Sequence, residues 1–222
     1  MKSRFPHISF FLMAAALLAL GSCGNDEAVN SALEDFRLDI VTYKDYSESS
    51  ALFQYVDRDG SVTELVANGI AEPEIKRDHR VLMRYKVTNE KHDRAQIAVY
   101  GITGIISDSL RVNSSPIAQY DMHRIRLRSI WQTGEFINVR CQVEYTGKAR
   151  SFYLLMDADT AGDEVVDCYL VHDLLDKEPL HWRDCYASFN VAALIKRMSC
   201  KAIRVHLTDV VRPDVEEYIF YK

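Results

Sequence analysis

The sequence predicts an all-β protein in which a small closed barrel precedes an antiparallel β-sandwich with one short helix. Three observations lead to this fold class. Apolar and polar residues alternate along most of the chain after residue 35, which is the period of half-buried strands. Turn-forming residues interrupt the alternation at short intervals. Apolar residues take helical spacing in a single stretch, Asn190–Met198.

The barrel is predicted over residues 35–115, where about five strands fall within some eighty residues. The turn at 57–60, Asp-Arg-Asp-Gly, has the residues of a tight hairpin loop. Gly101 and Gly104 interrupt the last strand, where glycine favours a bulge or a barrel corner. The predicted strands lie at 36–41, 52–56, 62–66, 80–88 and 97–106.

The sandwich is predicted over residues 117–222, after a polar linker at 113–116 that ends in proline. The helix is predicted to follow Ser188, a residue of the type that caps helices, and to pack Val191 and Leu194 on one face. Short antiparallel strands with a single helix are typical of this architecture. The predicted strands lie at 123–131, 136–145, 151–156, 165–172, 202–207 and 217–221.

The N-terminus indicates export and lipid attachment. A basic start and the apolar run 8–20 are typical of a signal peptide, predicted over residues 1–22. Leu-Gly-Ser-Cys at 20–23 resembles a bacterial lipobox, which implies cleavage before Cys23, a diacylglycerol on its sulfur and acylation, such as palmitate, of the new amino terminus. The alternative is an ordinary secretory signal with a chance cysteine.

Residues 23–34 are small, polar and acidic, and are predicted to be a flexible tether. Asp-Glu at 26–27 resembles the signal that takes Bacteroidetes lipoproteins to the outer face of the outer membrane. A plain solvated linker is the alternative. The predicted location is therefore the outer membrane, lipid-anchored and at the cell surface.

After the lipobox, the chain contains a series of motifs in this order: Asp59-Gly60, Arg80-Val81-Leu82, Pro116, Trp131-x-x-Gly134, Phe136-Ile137-Asn138-Val139 and Leu170-Val171-His172. The order of these motifs resembles that of the NigD-like lipoproteins of Bacteroidetes. The resemblance covers Asp35–Lys222 and implies an N-terminal OB-type domain followed by a β-sandwich. It suggests a role in bacteriocin immunity and supplies no catalytic residues.

Composition and motifs argue against several function classes. The formal net charge of −5 does not suit nucleic-acid binding, which needs a basic face. The sequence contains no G-x-S-x-G, no H-E-x-x-H and no glycine-rich phosphate loop. After the N-terminal run, no apolar stretch is long enough to cross a membrane. We therefore expect no cofactor and no nucleic-acid partner.

Four cysteines remain beyond Cys23: Cys141, Cys168, Cys185 and Cys200. In an exported protein an even number permits two disulfides in three pairings. Because Cys141 and Cys168 lie in apolar, strand-like runs, buried free thiols are the favoured interpretation.

The first candidate site is the acidic turn that contains Asp157, Asp159 and Asp163. Carboxylates at this spacing resemble half of a calcium loop. Ala161 and Cys168 occupy positions that an EF-hand needs for ligands, so only a looser calcium-binding hairpin is open. The alternative is a solvated turn.

The second candidate site is an arginine stripe formed by Arg124, Arg126 and Arg128. Alternation in a strand would place all three guanidinium groups on one face, where they could bind phosphate or carboxylate groups of a glycan. A solvent face with paired side chains is the favoured alternative. A zinc site is a weaker hypothesis, because no spacing fits a zinc motif; its residues would come from His172, Asp173, Asp176, His181, Asp184 and Cys185.

The sequence therefore predicts a non-enzymatic surface binding protein, attached to the membrane through lipid on Cys23. Its partner would be another envelope protein, a glycan or a toxin. Two alternatives stay open. One is a glycan-active hydrolase, for which the sequence nominates no carboxylate pair; the other is a passive structural subunit of an outer-membrane complex.

Overall fold

The computed structural model describes residues 35–112, 115–147, 151–174, 178–215 and 217–222 and confirms the predicted fold class, a closed barrel followed by a sandwich. The predicted signal peptide and lipidation at Cys23 lie outside the described residues. Arg37–Lys222 form one compact unit. Within the described part, no helix has the length and apolarity needed to span a bilayer.

The barrel closes in the strand order β1-β2-β3-β5-β4, with a parallel pairing between β3 and β5. At the predicted hairpin, the Ser61 N–H donates to Asp59 Oδ1 at 2.8 Å and Gly60 has a φ of 84°. The predicted bulge lies at Gly101, which pairs with Arg84 while the next partners are Tyr85 and Val99. The strands are β1 (Phe36–Ser47), β2 (Ser50–Val56), β3 (Val62–Asn68), β4 (Arg80–Lys91) and β5 (Arg94–Gly104).

The sandwich consists of two facing sheets with a shared apolar core. The strands are β6 (Ile106–Ser109), β7 (Arg111–Val112), β8 (Ile125–Thr133), β9 (Phe136–Tyr145), β10 (Ser151–Met156), β11 (Val165–Asp173), β12 (His181–Asn190), β13 (Ala202–His206) and β14 (Glu217–Tyr221). One sheet has the order β14-β13-β11-β10-β7 and the other β6-β12-β9-β8. The core side chains include Ile125, Ile137, Leu154, Val166, Phe189 and Ile203.

Strand pairing passes from the barrel to the sandwich between Gly104 and Ile106, ahead of the predicted linker at 113–116. β6 pairs with β12 and β7 pairs with β10, both in parallel and both at an edge of their sheet. A third parallel pair joins β11 to β13. Independent folding of residues 35–115 and 117–222 stays a prediction.

The helix is shorter than the sequence predicts and has a different cap. It is α1 (Ala192–Ile195), with Val191 at the N-cap position, and Asn190 Oδ1 accepts a hydrogen bond from the backbone N–H of Ala192 at 2.9 Å. Ser188 is not the cap, because it lies inside β12 and donates to Asn138 Oδ1 at 2.8 Å. β12 itself is a strand that the sequence analysis did not predict.

Arg80 joins the barrel to the sandwich. Its side chain is only 2% exposed and donates to Thr42 Oγ1 at 3.1 Å, to Ser188 Oγ at 3.2 Å and to Asn138 Oδ1 at 3.4 Å. The guanidinium also lies 4.3 Å from the centre of the Phe136 ring. Burial lowers the pKa of Arg80 to about 10, so the group stays charged at neutral pH.

A second close contact at the same junction involves Gly134, in the turn between β8 and β9. A Cβ atom at this position would lie 3.0 Å from Cγ1 of Val56, at the end of β2. Gly134 also has a φ of 51°, in the left-handed region that favours glycine. The barrel and the sandwich therefore approach each other too closely here for a larger residue.

Candidate functional site

A groove lies where the barrel meets the outer face of the β6-β12-β9-β8 sheet. It has two depressions, of about 260 and 560 Å3, that share Arg58 and Trp131 in their walls. We name it the junction groove. The first depression is lined mainly by Asp39, Tyr55, Asp57, Arg80, Arg140 and Tyr186, and the second by Asp59, Gln132, Phe220, Tyr221 and Lys222.

Trp131 reaches this groove because β8 contains a bulge at Arg128. Leu127 pairs with Cys141 and Ser129 pairs with Arg140, so one residue of β8 is left without an opposite partner. An extra residue reverses the face to which every later side chain points. Trp131 therefore lies on the outer face beside the groove rather than in the core.

The lining combines aromatic rings with charges of both signs. The Arg140 guanidinium lies 5.5 Å from the centre of the Tyr186 ring. Burial raises the pKa of the Tyr55 phenol, with the nearby Asp39 and Asp57 adding to the shift. Such a surface offers flat apolar faces next to donors and acceptors, which suits a polar ligand with some apolar area.

Asp39 is a carboxylate of the groove whose pKa is shifted by its surroundings. Its Oδ2 accepts a hydrogen bond from the Tyr85 hydroxyl at 2.9 Å. Burial raises the pKa of Asp39; the Tyr85 hydrogen bond and Arg37 oppose this shift, and Asp57 adds to it. The groove thus brings together two carboxylates, Asp39 and Asp57, that the sequence analysis did not connect.

The three residues of the predicted arginine stripe each have a protein partner. Arg124 donates to Glu144 Oε1 at 3.3 Å, and Arg128 donates to Gln142 Oε1 at 3.5 Å. The Arg126 guanidinium lies 4.1 Å from the centre of the Trp182 ring. Paired arginines are what the solvent-face alternative expects, and a ligand-binding role for the stripe stays a prediction.

In the acidic turn, Asp157 Oδ1 accepts the backbone N–H of Asp159 at 3.0 Å. Arg197 donates to the carbonyl oxygens of Ala161 and Asp163, so a guanidinium already lies at these oxygens. Within the ranges that the structure describes, no group of three or more histidine, cysteine or acidic side chains is placed to hold a metal ion. Calcium binding by Asp157, Asp159 and Asp163 stays a prediction.

A separate cavity of about 290 Å3 lies at one end of the sandwich, with Phe152, Glu144, Arg183, Cys185 and His172 among its lining residues. His172 is 1% exposed, and neither ring nitrogen has a hydrogen-bond partner among the described residues. Burial, aided by His123, lowers the pKa of His172, so the ring is neutral at pH 7.

Of the residues in the zinc hypothesis, His172, Asp184 and Cys185 line this same cavity, but among the described residues no three such side chains are placed to hold a metal ion. His172 faces the interior from β11, whereas His181 begins β12 and packs its ring 5.3 Å from that of Tyr145. Asp176 lies outside the described residues. The neighbour that sequence reasoning missed is Glu144, which is buried and pairs with His123 and Arg124.

Comparison with known proteins shows likeness of fold. No family model and no curated protein matches the sequence. A protein of unknown function from Bacteroides vulgatus superposes with a TM-score of 0.66 at 15% identity, covering 84% of this chain and 90% of that one.

Two further solved structures connect the fold to the predicted family and to lipoproteins. A NigD-like immunity protein from Bacteroides caccae has a TM-score of 0.58 at 16% identity, covering 84% of this chain and 92% of that one. A candidate lipoprotein from Bacteroides fragilis has a TM-score of 0.59 at 13% identity, covering 84% and 98%. The resemblance to NigD-like proteins is confirmed at the level of the fold.

Proposed function

We propose that this chain is a lipid-anchored, non-enzymatic binding protein of the bacterial envelope that holds a glycan in the junction groove. The proposal rests on the wall that the two depressions share. Trp131 and Arg58 form this wall, and further carboxylates and guanidinium groups line the depressions around it. Sugar rings have apolar C–H faces that pack on aromatic rings, and hydroxyls that bond to charged planar side chains. OB-type barrels also bind oligosaccharides in other proteins, which is an analogy of fold.

The envelope location rests on the lipobox resemblance at Cys23 and on the likeness of fold to a candidate lipoprotein. Cys23→Ala should release the protein into the soluble fraction, since lipid chains would no longer hold it. Material that still partitions into Triton would contradict the anchor. Loss of the full-length band when intact cells are treated with proteinase K, with a periplasmic control protected, would support the cell surface.

Glycan binding is tested on an array of neutral and acidic oligosaccharides, followed by calorimetry with those retained. Trp131→Ala should weaken binding at least tenfold, because it removes the ring shared by both depressions. Trp182→Ala is the matched control, since Trp182 stacks on Arg126 and does not line the groove. Equal losses in the two variants, or no retained glycan, would contradict the proposal.

A protein ligand is a distinct outcome of the same variants. If an envelope protein or a toxin, rather than a glycan, is captured by the native chain and lost by Trp131→Ala, the groove serves a protein partner. That result would favour an immunity role, which the name of the NigD-like protein of similar fold carries.

The second candidate function is glycan hydrolysis, because the groove holds Asp39 and Asp57 together. Burial raises the pKa of Asp39, as a general acid requires, and a second nearby carboxylate is the other part of such a site. Release of reducing ends from a bound glycan, abolished by Asp39→Asn, would establish it. Binding without release in the native chain would leave the binding role alone.

A further inference from the structure

We propose that Cys141 and Cys185 form a disulfide bond between the neighbouring strands β9 and β12 when the exported chain meets a disulfide-bearing oxidant. The two residues are direct partners in the antiparallel pairing of β9 with β12. Both side chains belong to the buried core between the sheets, so they point to the same face of their sheet.

The strand pairing gives the geometry that a disulfide requires. Directly opposed residues in antiparallel strands have Cα atoms about 4.5 or 5.5 Å apart, depending on the type of pair. Disulfides span Cα distances of about 4.4 to 6.8 Å, so both types of pair fall within the Cα range of a disulfide. The two thiols are close enough that each shifts the pKa of the other.

The other two thiols of the folded region lack this arrangement. Cys168 in β11 is opposed by Val205 of β13. Cys200 precedes β13, and its Sγ lies 3.5 Å from the carbonyl oxygen of Ala202. Within the part of the chain that the structure describes, Cys141 and Cys185 are the one opposed pair of cysteines, and they select one of the pairings that the sequence left open.

The two thiols differ in access and in ionisation. Cys185 is 8% exposed and lines the cavity at the end of the sandwich, whereas Cys141 is 1% exposed. The neighbouring Cys141 thiol lowers the pKa of Cys185, against the effect of burial, whereas the Cys185 thiol together with burial raises the pKa of Cys141. Cys185 is therefore the thiol that reacts first.

The reaction is a thiol–disulfide exchange in two steps. The Cys185 thiolate attacks one sulfur of the oxidant, and the other sulfur leaves as a thiolate, so that a mixed disulfide forms. Cys141 then loses its proton and attacks Sγ of Cys185, which releases the second thiol of the oxidant. The protein loses two electrons and two protons, and the oxidant is reduced to two thiols.

The test is peptide mapping of the full chain, extracted from membranes with iodoacetamide present and also after treatment of the purified protein with oxidised glutathione. Trypsin places the four cysteines on separate peptides, at 141–148, 151–177, 184–196 and 198–201. We expect 141–148 joined to 184–196, lighter than the sum of the free peptides by two hydrogen atoms. Complete alkylation of both peptides after oxidation, or a link to Cys168 or Cys200, would overturn the proposal.

Thermal unfolding supplies a second measurement. The oxidised protein should melt about 5–10 °C above the protein reduced with dithiothreitol, because the bond closes a long loop in the unfolded chain. Cys185→Ala should abolish this difference, and Cys168→Ala, the matched buried cysteine, should retain it. If both variants keep the difference, another pair of cysteines is responsible. If Cys185→Ala does not fold, the peptide map of the native chain still decides.

Discussion

Arg80 and His172 are buried to almost the same degree, but only Arg80 has hydrogen-bond partners for its side chain among the described residues. At the junction, three neutral side chains accept hydrogen bonds from Arg80, and the Phe136 ring covers it. At the end of the sandwich, both ring nitrogens of His172 lack a partner among the described residues. Arg80 therefore helps to hold the fold together through its hydrogen bonds, whereas the hydrogen-bonding groups of His172 are not used by the described residues.

The largest expected effect is at Arg80. Arg80→Ala should lower the free energy of unfolding by about 3 kcal/mol, because it removes three hydrogen bonds and the stack on Phe136. Urea denaturation measures the change. Arg128→Ala, at an exposed arginine, should change stability by less than about 0.5 kcal/mol. Similar values for the two variants would mean that Arg80 does not secure the junction.

Gly134→Ala tests the junction from the backbone side. The added Cβ would lie 3.0 Å from Val56, and the positive φ adds strain, so we expect a loss of about 2–3 kcal/mol. Gly60→Ala has the positive φ but no atom within 4 Å of the added Cβ, so a loss of about 1 kcal/mol is expected. The difference in stability loss between the two variants measures the effect of the close approach alone. We expect no such difference if the barrel and the sandwich separate in solution.

His172→Phe should have the opposite sign to Arg80→Ala. Phenylalanine keeps a ring of similar size beside Phe152 and removes two unpartnered nitrogens, so stability should stay constant or rise by about 1 kcal/mol. Chemical denaturation at pH 8, where histidine is neutral in both folded and unfolded chains, gives a clean comparison. A loss above about 2 kcal/mol would mean that the imidazole has a partner, such as an internal water.

The smallest effect expected is a change in pH dependence. The pKa of His172 is lowered in the folded protein, so below about pH 6.5 the unfolded chain binds a proton that the folded chain does not. The unfolding free energy should therefore fall as the pH drops below about 6.5, and it should fall less steeply in His172→Phe. Identical slopes in the native chain and the variant would contradict burial of a neutral ring.

Strand prediction succeeded where the buried face of a strand carries large residues. The alternation around Phe53 and Leu65 predicted the barrel strands, and 136–145 and 217–221 match the observed β9 and β14. β12 was missed because two of its three core residues, Cys185 and Ala187, are small and give little alternation. Asn190 ends that strand and its side chain accepts the backbone N–H of Ala192, so the helix begins two residues later than predicted.

The junction groove was beyond sequence reasoning for a different reason. Its lining comes from strands in both halves of the chain, and each segment has an ordinary local explanation: the turn at 57–60 is a hairpin, and Trp131 is part of a strand motif. The bulge at Arg128 contains no glycine that would indicate it in the sequence, although the bulge determines the face of the sheet on which Trp131 lies. Only tertiary packing brings Asp39 and Asp57 into one wall.

The short segment 106–112 has a mechanical consequence. Its two strands, β6 and β7, lie at the edges of different sheets, and the segment follows directly on the last strand of the barrel. A load applied to the barrel reaches the sandwich through this segment, and it must detach β6 from β12 and β7 from β10 before the chain can extend. The load is therefore shared between both sheets of the sandwich, so that pulling the barrel away requires strand pairs in both sheets to break.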